Sequence, residues 1–281
     1  MTDFKEKSTE LALLFLALSS IASLALITVF IIAEGIPVIS KVGIIHFLFG
    51  TEWAPSLGKY GIFPMIVGSI SVTLGALIIA VPTALCCAIF LVELSPRFLS
   101  SIVRPAIQVL AGIPSVVYGF WGLIFIVPFI RNYLGGPGFS ILAGSIILAI
   151  MTLPTIISIA EDSLRALPPS YKEGSLALGT TQWQTIVSLQ IPAARSGITA
   201  AIVLGMGRAI GETMAVIMVL GNAVALPTSI LDPARTLTTN IGIEMGYASG
   251  EHQQALFATG IVLLVIIMIL NGIAQYAARR R

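Results

Sequence analysis

The sequence predicts an all-α membrane protein with about six transmembrane helices, on three observations. Hydrophobic residues make up 57% of the 281-residue chain and charged residues only 10%, where a soluble domain carries roughly 25% charge. Six stretches reach the ~20 apolar residues that a ~30 Å hydrocarbon core requires. Lysine and arginine are concentrated in the segments on one side of those stretches, the bias that sets membrane topology. A surface so poor in charge cannot face water everywhere; lipid accepts it when every backbone amide is bonded internally.

The spans fall at roughly 11–33, 66–92, 106–130, 140–160, 198–221 and 255–277. The first is too long for a signal peptide, lacks a small-residue cleavage site and has a mixed flank (Asp3, Lys5, Glu6, Lys7, Glu10), so it is expected to be retained. Cys86 and Cys87 sit within the second span without metal-ligand or disulfide spacing and are expected to be buried, inert thiols. Pro82, Pro114, Pro128 and Pro154 each remove a helical donor and are expected to kink their spans.

With both termini in the cytoplasm, the inner segments hold Lys5, Lys7, Arg97, Arg104, Arg165, Lys172, Arg195, Arg279, Arg280 and Arg281. The outer segments hold only Lys41, Lys59, Arg131 and Arg235, and Arg208 stays inside the fifth span. The opposite orientation inverts the bias and is rejected. Two regions result: residues 1–65, an N-terminal helix and first outer loop, and residues 66–281, a core carrying a long cytoplasmic loop at 161–197. Trp53 and Tyr60 are expected to anchor the outer loop at the interface. His46 and His252 are read as outer surface or interfacial histidines. The net charge of +2 implies no nucleic-acid partner. Gly58-Lys59-Tyr60 is no P-loop, so any ATP chemistry falls to another chain.

The 161–197 loop is built rather than slack. Ser170-Tyr171-Lys172-Glu173 fits a capping box in which Ser170 caps a helix and Glu173 reaches back. That helix meets Gly179, a left-handed stop. Thr181-Gln182-Trp183-Gln184 is a second capping box, opening a short helix with Trp183, Ile186 and Val187 on one side; Pro192 ends the unit. On the residues alone, two readings stay open: an interfacial anchor, or a docking element that passes a push from a cytoplasmic partner to the flanking spans.

The fifth span carries Gly207-Arg208-Ala209-Ile210-Gly211-Glu212-Thr213. Arg208 lies ~15 Å past the inner end at 1.5 Å per residue, near the middle of the core. An arginine there costs roughly 2.5–3.5 kcal/mol on insertion scales. Arg208 and Glu212 are spaced i,i+4, so a continuous helix would pair them. Gly207 and Gly211 form a Gly-xxx-Gly step suited to close helix approach. The pair is either a self-neutralising contact between helices or part of an anion path, with a planar guanidinium suited to an oxyanion.

Glu173-Gly174-Ser175, three residues, Gly179, nine residues, then Leu189-Gln190-Ile191-Pro192 resembles the EAA loop of ABC importer permeases. The spacing matches throughout, with Gly174 and Ser175 in place of two alanines and aliphatic residues kept at Leu189 and Ile191. Gly207-Arg208-Ala209-Ile210-Gly211-Glu212-Thr213-Met214-Ala215-Val216 resembles the signature of phosphate-specific permeases, C-type subunit. Phe49–Trp53, Leu110–Phe120 and Leu153–Ser158 agree with the same subunit. The resemblance implies a type I ABC importer permease fold and phosphate translocation across the plasma membrane of a prokaryote, with another oxyanion or a stand-alone secondary transporter as alternatives. It places Arg208 and Glu212 in the substrate path. It assigns Glu173, Gly174, Ser175, Gly179, Thr181 and Trp183 to coupling with the ATPase. It also implies four kinds of partner: lipid, an A-type permease subunit, two ATP-binding subunits and an extracytoplasmic phosphate-binding protein. No cofactor is expected on this chain, ATP and Mg belonging to the ATPase.

Overall fold

The computed structural model describes the backbone of residues 2–279 and the side chains of residues 9–276. Of the charges used above for topology, Lys5, Lys7 and Arg279 lie outside the described side chains, and Arg280 and Arg281 outside the described residues altogether. Helix α1 (Thr2–Val42) leads through α2 (Ile44–Phe49) to a small antiparallel hairpin, β1 (Trp53–Ala54) and β2 (Lys59–Tyr60), with Trp53 opposite Tyr60. Helix α3 (Phe63–Ile89) ends in a π-helical turn at Phe90–Leu94. Then come α4 (Arg97–Gly112), α5 (Ser115–Trp121), a π turn at Gly122–Ile126 and α6 (Val127–Tyr133). Helix α7 (Ile141–Arg165) leads to a loop of three short helices, α8 (Pro169–Ala177), α9 (Gln182–Thr185) and α10 (Ile191–Ala193), with a π turn at Ile186–Gln190. The chain finishes with α11 (Arg195–Gly211), α12 (Met214–Val219), α13 (Leu237–Glu244) and α14 (Glu251–Arg279).

Among the described residues, five stretches are long and apolar enough to cross a bilayer: Thr9–Val42, Phe63–Leu94, Ser115–Tyr133, Ile141–Arg165 and Glu251–Tyr276. A sixth crossing is a bent pair, Gln182–Ala193 and Arg195–Gly211, with a 70° angle between its halves. Spans one, two, four and six match the sequence reading, each somewhat longer.

Spans three and five differ from the sequence reading. The third span starts at Ser115, and residues 97–112 form a separate helix. Pro114 is the cause: it disfavours helical geometry at the residue before it, and Ile113 is extended, with φ −70° and ψ 129°. The fifth span stops at Gly211 instead of running to 221. Of the four prolines expected to kink, Pro82 and Pro154 lie inside continuous helices, Pro114 sits where α5 begins, the place a missing N–H costs least, and Pro128 follows the π turn at Gly122–Ile126 within the Ser115–Tyr133 span.

The core is the α3–α7 pair. Ala76, Ala80, Ala84 and Ala88 recur every fourth residue on α3 and are wholly buried. Four-residue spacing keeps them on one face, and the small stripe lets α7 approach closely, as small residues do between membrane helices. Helix α11 packs on the same α7 through Gly205, where a Cβ would stand 2.6 Å from Ile156. Gly197 makes a second close approach, its Cβ position lying 2.0 Å from Ser163 Oγ of α7. A Cβ at Gly207 or Gly211 would meet nothing within 4 Å, so the expected Gly-xxx-Gly contact is not made within this chain. Cys86 is exposed and Cys87 half-buried, against the expectation that both are interior.

Helix α1 is exposed over most of its surface and leans on α14, with Phe30 edge-on to Phe257 at 5.5 Å. Lys41 pairs with Glu251 at one end of these two helices. Their opposite ends therefore point toward the side of the bundle that carries α8, α9 and α10.

Candidate functional site

The site residues expected from the sequence fall in two regions, one at the end of α11 and one in the α8–α10 loop. At the first, the helix breaks between the two charges. Glu212 has extended geometry (φ −71°, ψ 134°) and closes α11, and α12 restarts at Met214. Arg208 lies in the last turn of α11, where unpaired carbonyls give the helix its negative end. The Glu212 carboxylate accepts from the Ala215 N–H at 3.3 Å, satisfying a donor at the start of α12. Each charge thus sits at a helix end of opposite polarity.

The break corrects the i,i+4 pairing expected from the sequence: among the described residues no ion pair joins Arg208 to Glu212. Arg208 is exposed and, among the described residues, has no hydrogen bond or ion pair. Leu204, Gly211 and Met214 are exposed around it.

Three elements fix this break. The Thr238 hydroxyl on α13 donates to the Glu212 carbonyl at 2.9 Å. A Cβ at Gly119 on α5 would stand 2.8 Å from the Ala215 Cα of α12, so these two helices touch backbone to backbone. Tyr118 on α5 donates from its hydroxyl to the Leu110 carbonyl at 2.8 Å, holding α4 across the Pro114 corner. The Leu110–Phe120 stretch therefore supports α12, just beyond the Glu212 break, through Gly119.

Beyond the break lies a buried polar centre that the sequence reading missed. Glu244 accepts from Arg235 Nη1 at 2.6 Å and from Trp53 Nε1 at 2.8 Å, and lies 2.8 Å from His252 Nε2. Arg235 also donates to the Asn222 carbonyl and to Asn240 Oδ1, both at 3.0 Å. His252 and Trp53 are thus tied to Glu244, in place of the surface and interfacial roles expected for them; His46 is exposed, as expected.

Burial pushes the Glu244 carboxyl up, but the hydrogen bonds from Trp53, His252 and Arg235 and the Arg235 charge outweigh it and hold the group below its ordinary 4.5. A lowered carboxyl adds stability that is present above 4.5 and is lost as pH falls through its lower folded value. Glu244→Gln is expected to lower the unfolding temperature in detergent at neutral pH and to flatten the acid limb. Thermal scans across pH check this, and unchanged midpoints at pH 7 and pH 4 would refute it.

In the loop region, α8 is capped by Pro168, and no side chain closes its start. The first predicted capping box is therefore absent, because Pro168-Pro169 already sets the helical entry; Ser170 and Glu173 are exposed. The second box is present: Thr181 Oγ1 accepts from the Gln184 N–H at 3.2 Å and Gln184 Oε1 accepts from the Thr181 N–H at 2.9 Å. Gly179 has φ +83°, as a left-handed stop requires. The hydroxyls of Ser175, Thr180 and Thr185 close on one another within 2.8 to 3.0 Å and tie α8 to α9.

Trp183 and Leu178 stand out of the bundle, 64% and 86% exposed, and a Cβ at Gly174 would meet nothing within 4 Å. Ile186 is buried while Trp183 and Val187 face out, so the three do not share a side. The π turn beginning at Ile186 changes the angular spacing that a regular helix would give.

Two further carboxylates near this loop escaped the sequence reading. Glu161 on α7 pairs with Arg104 on α4 at 2.7 Å and with Arg165 at 3.0 Å. These residues line a cavity of about 240 Å³ with Gln108, Ser158 and Asp162. The other is Glu93, in the π turn after α3. A lone acid within the apolar run Phe90-Leu91-Val92-Glu93-Leu94 was its only signal. Among the described residues no group of histidine, cysteine and carboxylates could hold a metal ion.

Residues 80–281 match the family described as binding-protein-dependent transport system inner membrane component. The chain is 45% identical over 273 residues to "Probable ABC transporter permease protein YqgH" of Bacillus subtilis (strain 168), covering 94% of this chain and 88% of that protein. It is 38% identical over 251 residues to "Phosphate transport system permease protein PstC" of Xylella fastidiosa (strain 9a5c), covering 82% and 78%. Its fold is similar to a chain of a bacterial alginate ABC transporter crystallised with a pentasaccharide-bound periplasmic protein. That match has TM-score 0.69 and 15% identity, covering 98% of this chain and 96% of that one. With well over half of the chain inside the family model and relatives aligned along most of it, this protein belongs to the binding-protein-dependent transport system inner membrane components and is the membrane-spanning permease of an ABC importer, the subunit that does not hydrolyse ATP.

Proposed function

We propose that this permease is the C-type subunit of an importer of inorganic phosphate, with Arg208 in the anion path. The observation that carries the reading is the unpartnered guanidinium of Arg208 on an open face at a helix break. A cation in a membrane helix is costly, and one with no hydrogen-bond or ion-pair partner among the described residues is held ready for a partner from outside the chain. Five donors in a planar fork suit an oxyanion. The open face of Leu204, Arg208, Gly211 and Met214 would then be closed by an A-type permease subunit, with the path between the two. Glu212 would shape the path by holding the break open at the start of α12, rather than by clamping Arg208. Relatives named for phosphate transport at 38% identity support the choice of anion.

The α8–α10 loop would dock on the ATP-binding subunits, which carry the ATP and Mg. Trp183 and Leu178 would enter the ATPase surface, Gly174 would allow close approach, and Glu173 would face that subunit. Exposed large apolar groups at a helix tip are unfavourable in water and mark a contact surface. The loop side would be cytoplasmic and the Glu244 side extracytoplasmic, where the phosphate-binding protein delivers its load. The bias of Lys and Arg toward the loop side supports that orientation.

The relative named without a substrate, at 45% identity, leaves room for a second reading, a permease for sulfate, molybdate or tungstate. Reconstitution with the ATPase subunits and the binding protein separates them. Phosphate is expected to stimulate ATP hydrolysis; stimulation by tungstate or sulfate alone would reject phosphate.

A further inference from the structure

The α8–α10 loop is fastened to the bundle at one buried carboxylate. Glu93 lies in the π turn that ends the second span, with its side chain 7% exposed. Its Oε2 accepts from Lys172 Nζ on α8 at 2.5 Å, and its Oε1 accepts from Gln190 Nε2 at 2.8 Å. Its backbone carbonyl accepts from Gln182 Nε2 on α9 at 3.1 Å. Three successive pieces of the loop thus converge on one residue. Gln190 closes the other π turn, Ile186–Gln190, so Glu93 bonds two irregular turns to each other. A π turn carries one residue more than a regular turn and marks places where a helix yields.

The loop also buries Thr185 and Ile186 and packs Ile191 against the core, but its outer part is open. Glu173, Gly174, Leu178 and Gly179 are exposed, and the hydroxyl cluster of Ser175, Thr180 and Thr185 ties the loop only to itself. The loop's covalent ends lead to α7 and α11. Its link to α3 runs through Glu93, and α3 is the helix whose alanine stripe packs along α7.

We infer that Glu93 is a positioning residue for energy coupling: it transmits displacement of the docking loop to α3 through Lys172, Gln182 and Gln190. The inference rests on the docking reading of the loop. Without the carboxylate the loop would still meet the ATPase, but α3 would follow it less faithfully. ATP would then be hydrolysed with less transport.

The test uses the assembled transporter with its ATPase subunits and binding protein in proteoliposomes, after the wild-type response to inorganic phosphate has been established. Phosphate taken up and ATP hydrolysed are measured in the same vesicles for wild type, Glu93→Gln, Lys172→Met, the double variant and Trp183→Ala. Glu93→Gln is expected to keep the ATPase bound and to raise ATP consumed per phosphate by roughly tenfold, toward the lower end of the range for coupling between sites. Lys172→Met, at a more exposed position, is expected to move the ratio the same way, and the double variant no further than Glu93→Gln alone. The ratio does not depend on how much protein folds, so a merely structural role would leave it unchanged. An unchanged ratio, or loss of the ATPase from Glu93→Gln, overturns the inference. Loss of the ATPase from Trp183→Ala together with an unchanged ratio in Glu93→Gln leaves docking standing without Glu93; retention with full coupling in Trp183→Ala counts against docking itself.

Discussion

Arg208→Ala is expected to reduce phosphate uptake by at least about a hundredfold while the subunits still co-purify. The magnitude follows from what the guanidinium would give an anion. Hydrogen bonds to charged groups contribute about 1.5–3 kcal/mol each, a bidentate contact supplies two, and about 1.4 kcal/mol is tenfold in rate. Assembly should survive because Arg208 is exposed and, among the described residues, makes no hydrogen bond or ion pair. Arg208→Lys should recover part of the activity, since it keeps the charge and loses the fork. Initial uptake rates of inorganic phosphate in proteoliposomes, scaled to assembled complex, give the answer. Uptake near wild type in Arg208→Ala would remove Arg208 from the path. Loss of assembly would instead identify it as a contact with the partner permease.

Gly179→Val is expected to release the ATPase and to abolish uptake together. At φ +83° a side chain with a Cβ is strained, by roughly 1–2 kcal/mol and more for a β-branched one. The loop between α8 and α9 can relieve that strain by turning differently, because no neighbour lies within 4 Å of the new Cβ to resist it. A different turn moves Leu178 and Trp183, which flank Gly179 and are 86% and 64% exposed. The displaced surface no longer fits the ATPase. Co-purification of the ATPase with the permease measures this, and wild-type recovery together with normal stimulation would argue against docking through this loop. The contrast with Glu93→Gln is useful: one variant removes the contact, the other removes what the contact moves.

Much of the fold was legible because lipid imposes simple rules. Span length, apolar content and charge bias need no tertiary information, and four of six spans lie where those rules put them. The exceptions share a cause. Spans three and five are interrupted by backbone events, at Ile113–Pro114 and at Glu212–Thr213, and a window of mean hydropathy averages across such breaks. Proline could have signalled the first. The second has no proline: α11 ends among Gly211, Glu212 and Thr213 because α13 supplies a hydroxyl to the exposed Glu212 carbonyl. A partner 26 residues away in the chain is invisible to local reading. Ser170 failed as a cap for a local reason, the Pro168-Pro169 entry. Thr181 succeeded because nothing competes with it.

For the candidate sites, residue type and tertiary placement divide cleanly. The sequence alone determined that this is a membrane protein, that an arginine lies inside its fifth span with a glutamate four residues on, and that a glycine-punctuated helical loop links spans four and five. Those follow from composition, spacing and the rigid demands of hydrogen bonding in lipid. Only the tertiary structure decided that Arg208 and Glu212 sit at opposing helix ends without meeting. It also decided that Glu244 gathers Trp53, Arg235 and His252, and that Glu93 bonds the α8–α10 loop to the end of the second span. The physical reason is the same in each case: a buried charge is stabilised by whatever donors the fold brings to it, and those donors come from elements far apart in the chain.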